Sequence, residues 1–197
     1  MIKITLPDGS VKEFEKGITP KQVAESISEG LARNVISANF NGTTIETVTP
    51  LTQDGNLVLY TWDSPEGKKA FWHSSAHILA QALEELYPNI KLTINPAIVN
   101  GFYYDVDFNG NSISDKDFPA IEAKMLEIAR GKHEFKMRSV SKSEALSYYK
   151  GKNEYKTELI EALEDGSITF CDHSTFTDLC RGRHLPNTGF VKAVKMC

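Results

Sequence analysis

His73-Ser74-Ser75-Ala76-His77 sets two imidazoles four residues apart, and Cys180-Arg181-Gly182-Arg183-His184 repeats the interval with a thiol in place of the first imidazole. On a helix, residues four apart stand one above the other, so His73 and His77 share a face. A histidine pair alone is most often a hydrogen-bonded surface or core pair. With a second pair at the same spacing, His73, His77, Cys180 and His184 become a four-ligand set of the type that holds zinc. The same residue types suit metal-free chemistry too. A neutral imidazole accepts a proton from water near pH 7, and a thiol of lowered pKa is a nucleophile.

Those residues need elements to position them. Ala76, Leu79, Leu83 and Leu86 recur at helical spacing between Phe71 and Tyr87, and Pro88 ends the run. They cover an arc of about 80°, which puts His73 and His77 beside one edge of a buried face. Further on, Gly101 to Phe108 reads as an aromatic strand ending at Asn109-Gly110, after a strand-like stretch from Ile90 to Val99 broken at Asn95-Pro96. Ser114 with Asp117 opens a helix that closes at Gly131, and Ser141 with Glu144 forms a capping box for another. Tyr155 to Leu163 gives a further helix. His133 to Val140, Ile168 to Cys171 and Phe190 to Val194 are expected as strands.

Ahead of this region, Ile2 to Leu6 and Val11 to Phe14 alternate as strands around an Asp8-Gly9 turn. Thr19-Pro20 then opens a helix to about Ile27, ending by Gly30. Asn34 to Phe40 and Asn56 to Trp62 are strands, with Asn41-Gly42 between short pieces. Strand, strand, helix, then strands is the order of a β-grasp domain. It holds no His or Cys. Asp63-Ser64-Pro65-Glu66-Gly67 is the boundary, so the fold class is α+β: a small β-grasp domain at 1–62 and a larger α+β domain at 63–197.

The 197 residues are 41% hydrophobic and 10% aromatic, enough for real cores. No run approaches the ~18 apolar residues of a membrane span, and the N-terminus reads as a strand rather than a signal peptide. A cytoplasmic protein with reduced thiols is expected, since three cysteines form no disulfide framework. A net charge of −4 argues against coating nucleic acid by bulk electrostatics, though not against local RNA contact. Basic residues cluster at Lys132, Lys136 and Arg138, at Lys150, Lys152 and Lys156, and at Arg181, Arg183, Lys192 and Lys195.

Three motifs in order, His73-Ser-Ser-Ala-His77, Asn100-Gly-Phe-Tyr-Tyr-Asp-Val-Asp107 and Asp178-Leu-Cys-Arg-Gly182 with His184, carry a resemblance. So does the opening Ile4-Thr-Leu-Pro-Asp-Gly-Ser10. The chain resembles, over essentially its whole length, the front of a bacterial threonyl-tRNA synthetase: a TGS domain followed by the editing domain. The resemblance implies a shortened chain, without the aminoacylation and anticodon-binding domains to which ATP and zinc would belong. The reaction it implies is hydrolysis of the ester joining serine to the terminal adenosine of threonine tRNA. Serine lacks one methyl of threonine, which gives a synthetic site only ~1–3 kcal/mol of discrimination.

By that resemblance, His73 positions or deprotonates a water, His77 orients water or the ribose, and Cys180 and His184 complete the pocket. Asp178 holds the substrate amino group, and Lys156 donates to the ester carbonyl or ribose. Tyr104 and Pro96 belong to the pocket by position. Alone, Lys156 would pass for an exposed helix lysine and Tyr104 for a core aromatic. Arg183 stands where the family usually has Pro, and Asn95 where Gly is common. No cofactor is expected for editing, although alanyl-type relatives use similar residues as zinc ligands. The partner is the acceptor end of threonine tRNA, and a monomer is expected. The alternatives are a zinc-stabilised RNA-binding module without catalysis and an alanyl-type deacylase.

Overall fold

The computed structural model describes residues 1–93, 97–98 and 101–197, with residues 97 and 98 described by backbone alone. The chain divides into two compact units, Met1–Phe71 with Arg183–Pro186, and Trp72–Gly182 with Asn187–Cys197.

In the first unit, β1 (Ile2–Thr5) and β2 (Val11–Phe14) pair antiparallel. Gly9 turns the chain between them at φ +82°, a conformation that costs glycine nothing. Helix α1 (Pro20–Ile27) starts at the expected Thr19 cap, and the cap is reciprocal: Thr19 Oγ1 accepts from the Gln22 backbone amide at 3.3 Å, and Gln22 Oε1 accepts from the Thr19 backbone amide at 2.9 Å. Helix α1 ends at Ile27, as expected, but the chain re-enters helix at once. Ser28 Oγ accepts from the Leu31 amide at 3.1 Å and opens a second helix, α2 (Glu29–Asn34). Then follow β3 (Ser37–Phe40), β4 (Thr43–Ile45) and β5 (Gly55–Tyr60). The sheet order is β2-β1-β5-β3-β4, with β1 and β5 parallel and the other pairs antiparallel. This is the expected β-grasp order. Ile2, Ile4 and Leu6 alternate onto one face and pack with Val23, Ala38, Leu51 and Leu57 in a wholly apolar core.

Helix α3 (Pro65–Leu86) begins six residues before Phe71, and the division between the units falls within it. The polar stretch expected as a linker is its N-terminus: Ser64 Oγ accepts from the Gly67 amide at 3.0 Å, and Pro65 fits a first helical turn, which needs no amide donor. Nor is α3 half-buried, since every residue from Ser74 to Leu83 is buried. The expected long strands after it are pairings of two residues each, β6 (Lys91–Leu92) with β9 (Val106–Asp107) and β7 (Ala97–Ile98) with β8 (Gly101–Phe102). Asn95 and Pro96 lie outside the described residues.

Helix α4 (Phe118–Arg130) follows, with Asp117 accepting from the Ser114 amide at 2.8 Å. Gly131 stays right-handed, and it is Lys132, at φ +52°, that turns the chain. Then come β10 (Lys136–Ser139), α5 (Lys142–Tyr149), α6 (Glu154–Glu161), β11 (Thr169–His173) and β12 (Phe176–Leu179). Ser141 caps α5 as expected, but Glu144 does not reach back; its carboxylate accepts from Arg138 at 2.8 Å. Strands β10, β11 and β12 form an antiparallel sheet in that order. The β11–β12 hairpin was not legible beforehand, because Asp172-His173-Ser174-Thr175 reads as loop. No described strand covers Phe190 to Val194; a 3-10 turn at Thr188–Phe190 begins that stretch. No described helix is long and apolar enough to cross a membrane.

Candidate active site

The β11–β12 hairpin decides which side chains meet α3. Directly paired residues of antiparallel strands share a face, so Cys171 with Asp178, and His173 with Phe176, point the same way. Cys180 continues the alternation one residue past β12, where its amide still bonds the Thr169 carbonyl at 3.0 Å. That face lies against the His73–His77 stripe of α3. His73 Nε2 is 3.0 Å from Cys180 Sγ, and His77 meets Phe176 edge to face with centroids 6.1 Å apart. The His73 and His77 rings are themselves 4.9 Å apart. Gly182 completes the corner: its amide donates to Cys180 Sγ at 3.3 Å, and a Cβ there would collide with the His73 ring. Any larger residue at 182 would push the ring from the thiol.

The second group of the site centres on Asp178, which is 2% exposed. Oδ1 accepts from Lys156 Nζ at 2.9 Å, the Tyr149 hydroxyl at 3.1 Å and the Leu179 amide at 2.8 Å; Oδ2 accepts from the Tyr104 hydroxyl at 2.8 Å. A carboxylate has about four acceptor positions, so Oδ1 is crowded while Oδ2 keeps one in hand. Burial raises the pKa of Tyr104 and Tyr149, and the Asp178 charge raises both further, so both phenols stay donors at neutral pH.

Lys156 is not the exposed lysine its neighbours suggest; it is 3% exposed. The cause is the cap of α6. Asn153 Oδ1 accepts from the Lys156 amide at 3.1 Å, and Asn153 Nδ2 donates to the Leu92 carbonyl at 2.7 Å, which fixes where the helix starts and turns Lys156 inward. The other basic residues are spent differently. Arg138 binds Asp172 at 2.7 Å and Glu144 at 2.8 Å, and Lys195 lies 3.3 Å from Glu122.

The structure therefore brings His73, His77 and Cys180 together, and gathers Lys156, Tyr104 and Asp178 into a second cluster. His184 is buried and falls in Arg183–Pro186, the segment grouped with the first unit. Arg183 belongs to the same segment, where its charge opposes the burial that raises the Glu46 pKa. Pro96 lies outside the described residues. The three cysteines are free thiols, Cys171 and Cys180 buried and Cys197 exposed.

Four residues were missed beforehand. Tyr149 and Asn153 gave no signal but an aromatic after a helical run and an Asn before one. Glu84 extends the His73–His77 stripe by two turns of α3; its carboxyl is pushed up to about 7 by desolvation and then by the Asp178 charge, though the side chain still reaches solvent. His173 is 2% exposed, and burial drives its pKa down to about 4.

Two domain families match parts of the chain. Residues 2–61 match the TGS domain, and residues 168–196, which include β11, β12 and Cys180, match the threonyl and alanyl tRNA synthetase second additional domain. The chain is thus of the class that joins these two modules. Over its whole length it is similar to the threonine–tRNA ligases of Flavobacterium johnsoniae (72% identical over 196 residues), Flavobacterium psychrophilum (67% over 196) and Cytophaga hutchinsonii (55% over 197). All of this chain and 30% of each of those ligases is covered. The chain thus spans less than a third of the length of the curated ligases it matches.

Proposed function

We propose that residues 63–197 hydrolyse mischarged seryl-tRNA, the proofreading reaction of a threonyl-tRNA synthetase, and that residues 1–62 are a TGS module for binding or spacing. The observation that carries this reading is the buried Lys156–Asp178–Tyr104 group on the strand that leads to Cys180, with Cys180 Sγ 3.0 Å from the ring of His73. Burial of a lysine, a carboxylate and a phenol costs free energy that packing alone does not repay, and such clusters are found where chemistry needs them.

Water adds to the ester carbonyl carbon, the bond to the ribose oxygen breaks, and serine and the free tRNA 3′ end are released. His73 takes the proton from the water and returns it to the leaving ribose oxygen. Cys180 holds His73 and lines the pocket, and His77 orients the water or the ribose. Lys156, held by Asp178 Oδ1, faces the developing oxyanion. Asp178 Oδ2, with one acceptor position in hand, receives the substrate ammonium beside Tyr104. The pocket admits serine and excludes the extra methyl of threonine by steric conflict. The reading includes the acceptor end of threonine tRNA as partner, a monomeric chain and a cytoplasmic setting.

Zinc is not part of the proposed reaction. His73, His77, Cys180 and His184 suit it by type, and in a four-ligand site it would supply stability rather than an open coordination position.

The test is the rate of amino-acid release from seryl-, threonyl- and alanyl-esterified tRNA, with and without a chelator. Release of serine in strong preference to threonine, indifferent to chelator, is expected. Preference for the alanyl ester would transfer the site to the alanyl type, and chelator-sensitive unfolding with no hydrolysis would make it a structural zinc module.

A further inference from the structure

Tyr149 is a buried phenol that the proposed reaction does not use, although its hydroxyl lies among the groups that do the chemistry. Oη donates to Asp178 Oδ1 at 3.1 Å and accepts from the Leu179 amide at 3.0 Å. The amide settles the direction of the phenolic proton: with a donor already on the oxygen, the O–H points at the carboxylate. Burial and then the Asp178 charge raise the Tyr149 pKa, so that proton stays in place at neutral pH.

The ring behind the hydroxyl is held by packing. Tyr148 meets it edge to face at 4.9 Å between centroids and Phe170 at 5.8 Å, and it belongs to an apolar core with Val140, Ala145, Ile160 and Ile168. Lys156, the other side-chain donor to Oδ1, reaches it on a flexible four-carbon stem. Tyr149 is therefore the stiff partner of this oxygen.

A carboxylate alone has two equivalent oxygens, and its terminal torsion is broad and two-fold. Here the partners tell them apart. Oδ1 takes Lys156, Tyr149 and the Leu179 amide, whereas Oδ2 takes Tyr104 alone. Without the Tyr149 donor, the flexible lysine can follow a twist of the carboxylate, and the spare acceptor position on Oδ2 no longer keeps one direction.

We propose that Tyr149 is a positioning residue for Asp178: its hydroxyl pins Oδ1, holds Oδ2 on the side of Tyr104, and so makes the site selective for esters that bear an α-ammonium group. The proposal deepens the hydrolytic reading and rests on it for this selectivity, since Oδ2 there receives the substrate ammonium. The pinning itself is measurable without any substrate.

The experiment compares the full chain with its Tyr149→Phe variant, which deletes one hydroxyl and keeps the ring. Each is given two esters on the same tRNA, seryl and its 2-hydroxy analogue, in which a hydroxyl replaces the ammonium. The parent should favour the seryl ester, and the variant should lose about tenfold of that preference in kcat/KM, the worth of one hydrogen bond to a charged group. A residue needed only for packing would slow both esters alike, so equal slowing, or no change in either, in a folded Tyr149→Phe chain overturns the proposal. Proton NMR of the parent without substrate should show the Tyr149 hydroxyl proton as a slowly exchanging signal with a cross-peak to the Leu179 amide, absent from the variant. Should the variant not fold, that signal decides, and a hydroxyl proton in fast exchange with solvent overturns the proposal equally. A parent chain with the protected hydroxyl proton that hydrolyses neither ester would refute the hydrolytic reading and leave the pinning of Asp178 standing.

Discussion

The two units differ in how much polar side chain they bury. The β-grasp unit packs Ile2, Ile4, Leu6, Val23, Ala38, Leu51 and Leu57 into an apolar cluster and buries the small polar Ser37 and Thr47. The second unit buries Ser74, Ser75, His77, Gln81, Lys156, His173 and Asp178 among its apolar residues. An apolar core needs only shape and volume to be stable, whereas each buried polar group needs its own partner. The difference shows where polar burial is concentrated: the first unit is closed largely by apolar packing, while the second holds the ionisable groups of the candidate site.

The comparison can be broken by substitution. The largest effect is expected from Lys156→Ala, which leaves Asp178 charged and buried without its cation. Loss of one partner of a buried pair costs about 3–5 kcal/mol, so urea denaturation should show the second unit destabilised by that order, with hydrolysis abolished. Leu57→Ala in the first unit should cost about 2–5 kcal/mol by opening a cavity, with the rate of seryl-ester hydrolysis by the folded fraction unaffected. A matching loss of rate would mean that the units are not separable in function.

A third test uses pH. His173 has its pKa held near 4 in the folded chain against an ordinary 6.5, so below 6.5 the unfolded state binds the proton first. Stability should therefore fall as pH drops from 6.5 to 4, by about 3 kcal/mol in all, and His173→Phe should remove that slope. Glu84 works in the other direction. Its pKa is raised to about 7, so its folded form is the better proton binder and stability declines as pH rises from 4.5 to 7. Denaturation curves from pH 4 to 8 for the parent, His173→Phe and Glu84→Gln separate the two slopes. The smallest effect belongs to Thr19→Ala, which removes the cap of α1 and should cost about 1 kcal/mol, read in the first unit alone.

How far the sequence could be read follows the same division. The β-grasp unit obeys local rules: alternation in β1, a glycine turn, an N-cap at Thr19-Pro20, and these predicted its order. Only α2 is illegible in the sequence, because Gly30 reads as a stop although Ser28 caps a next helix. In the second unit local rules were less informative. The β11–β12 hairpin is written in polar residues because its inner face holds His173 and Asp178 rather than aliphatics. The spacing of His73, His77 and Cys180 announced the site, but the burial of Lys156 depends on Asn153 and Leu92, 61 residues apart in sequence. No periodicity encodes a contact of that kind.

The central claim is that His73 serves the reaction and not the fold. Hydrolysis of seryl-tRNA and thermal unfolding should be measured side by side on the parent chain and on His73→Ala. The account predicts a loss of rate of about a hundredfold or more, as for removal of a general base, with an unfolding temperature close to the parent's. A stable variant that hydrolyses seryl-tRNA at the parental rate would contradict it.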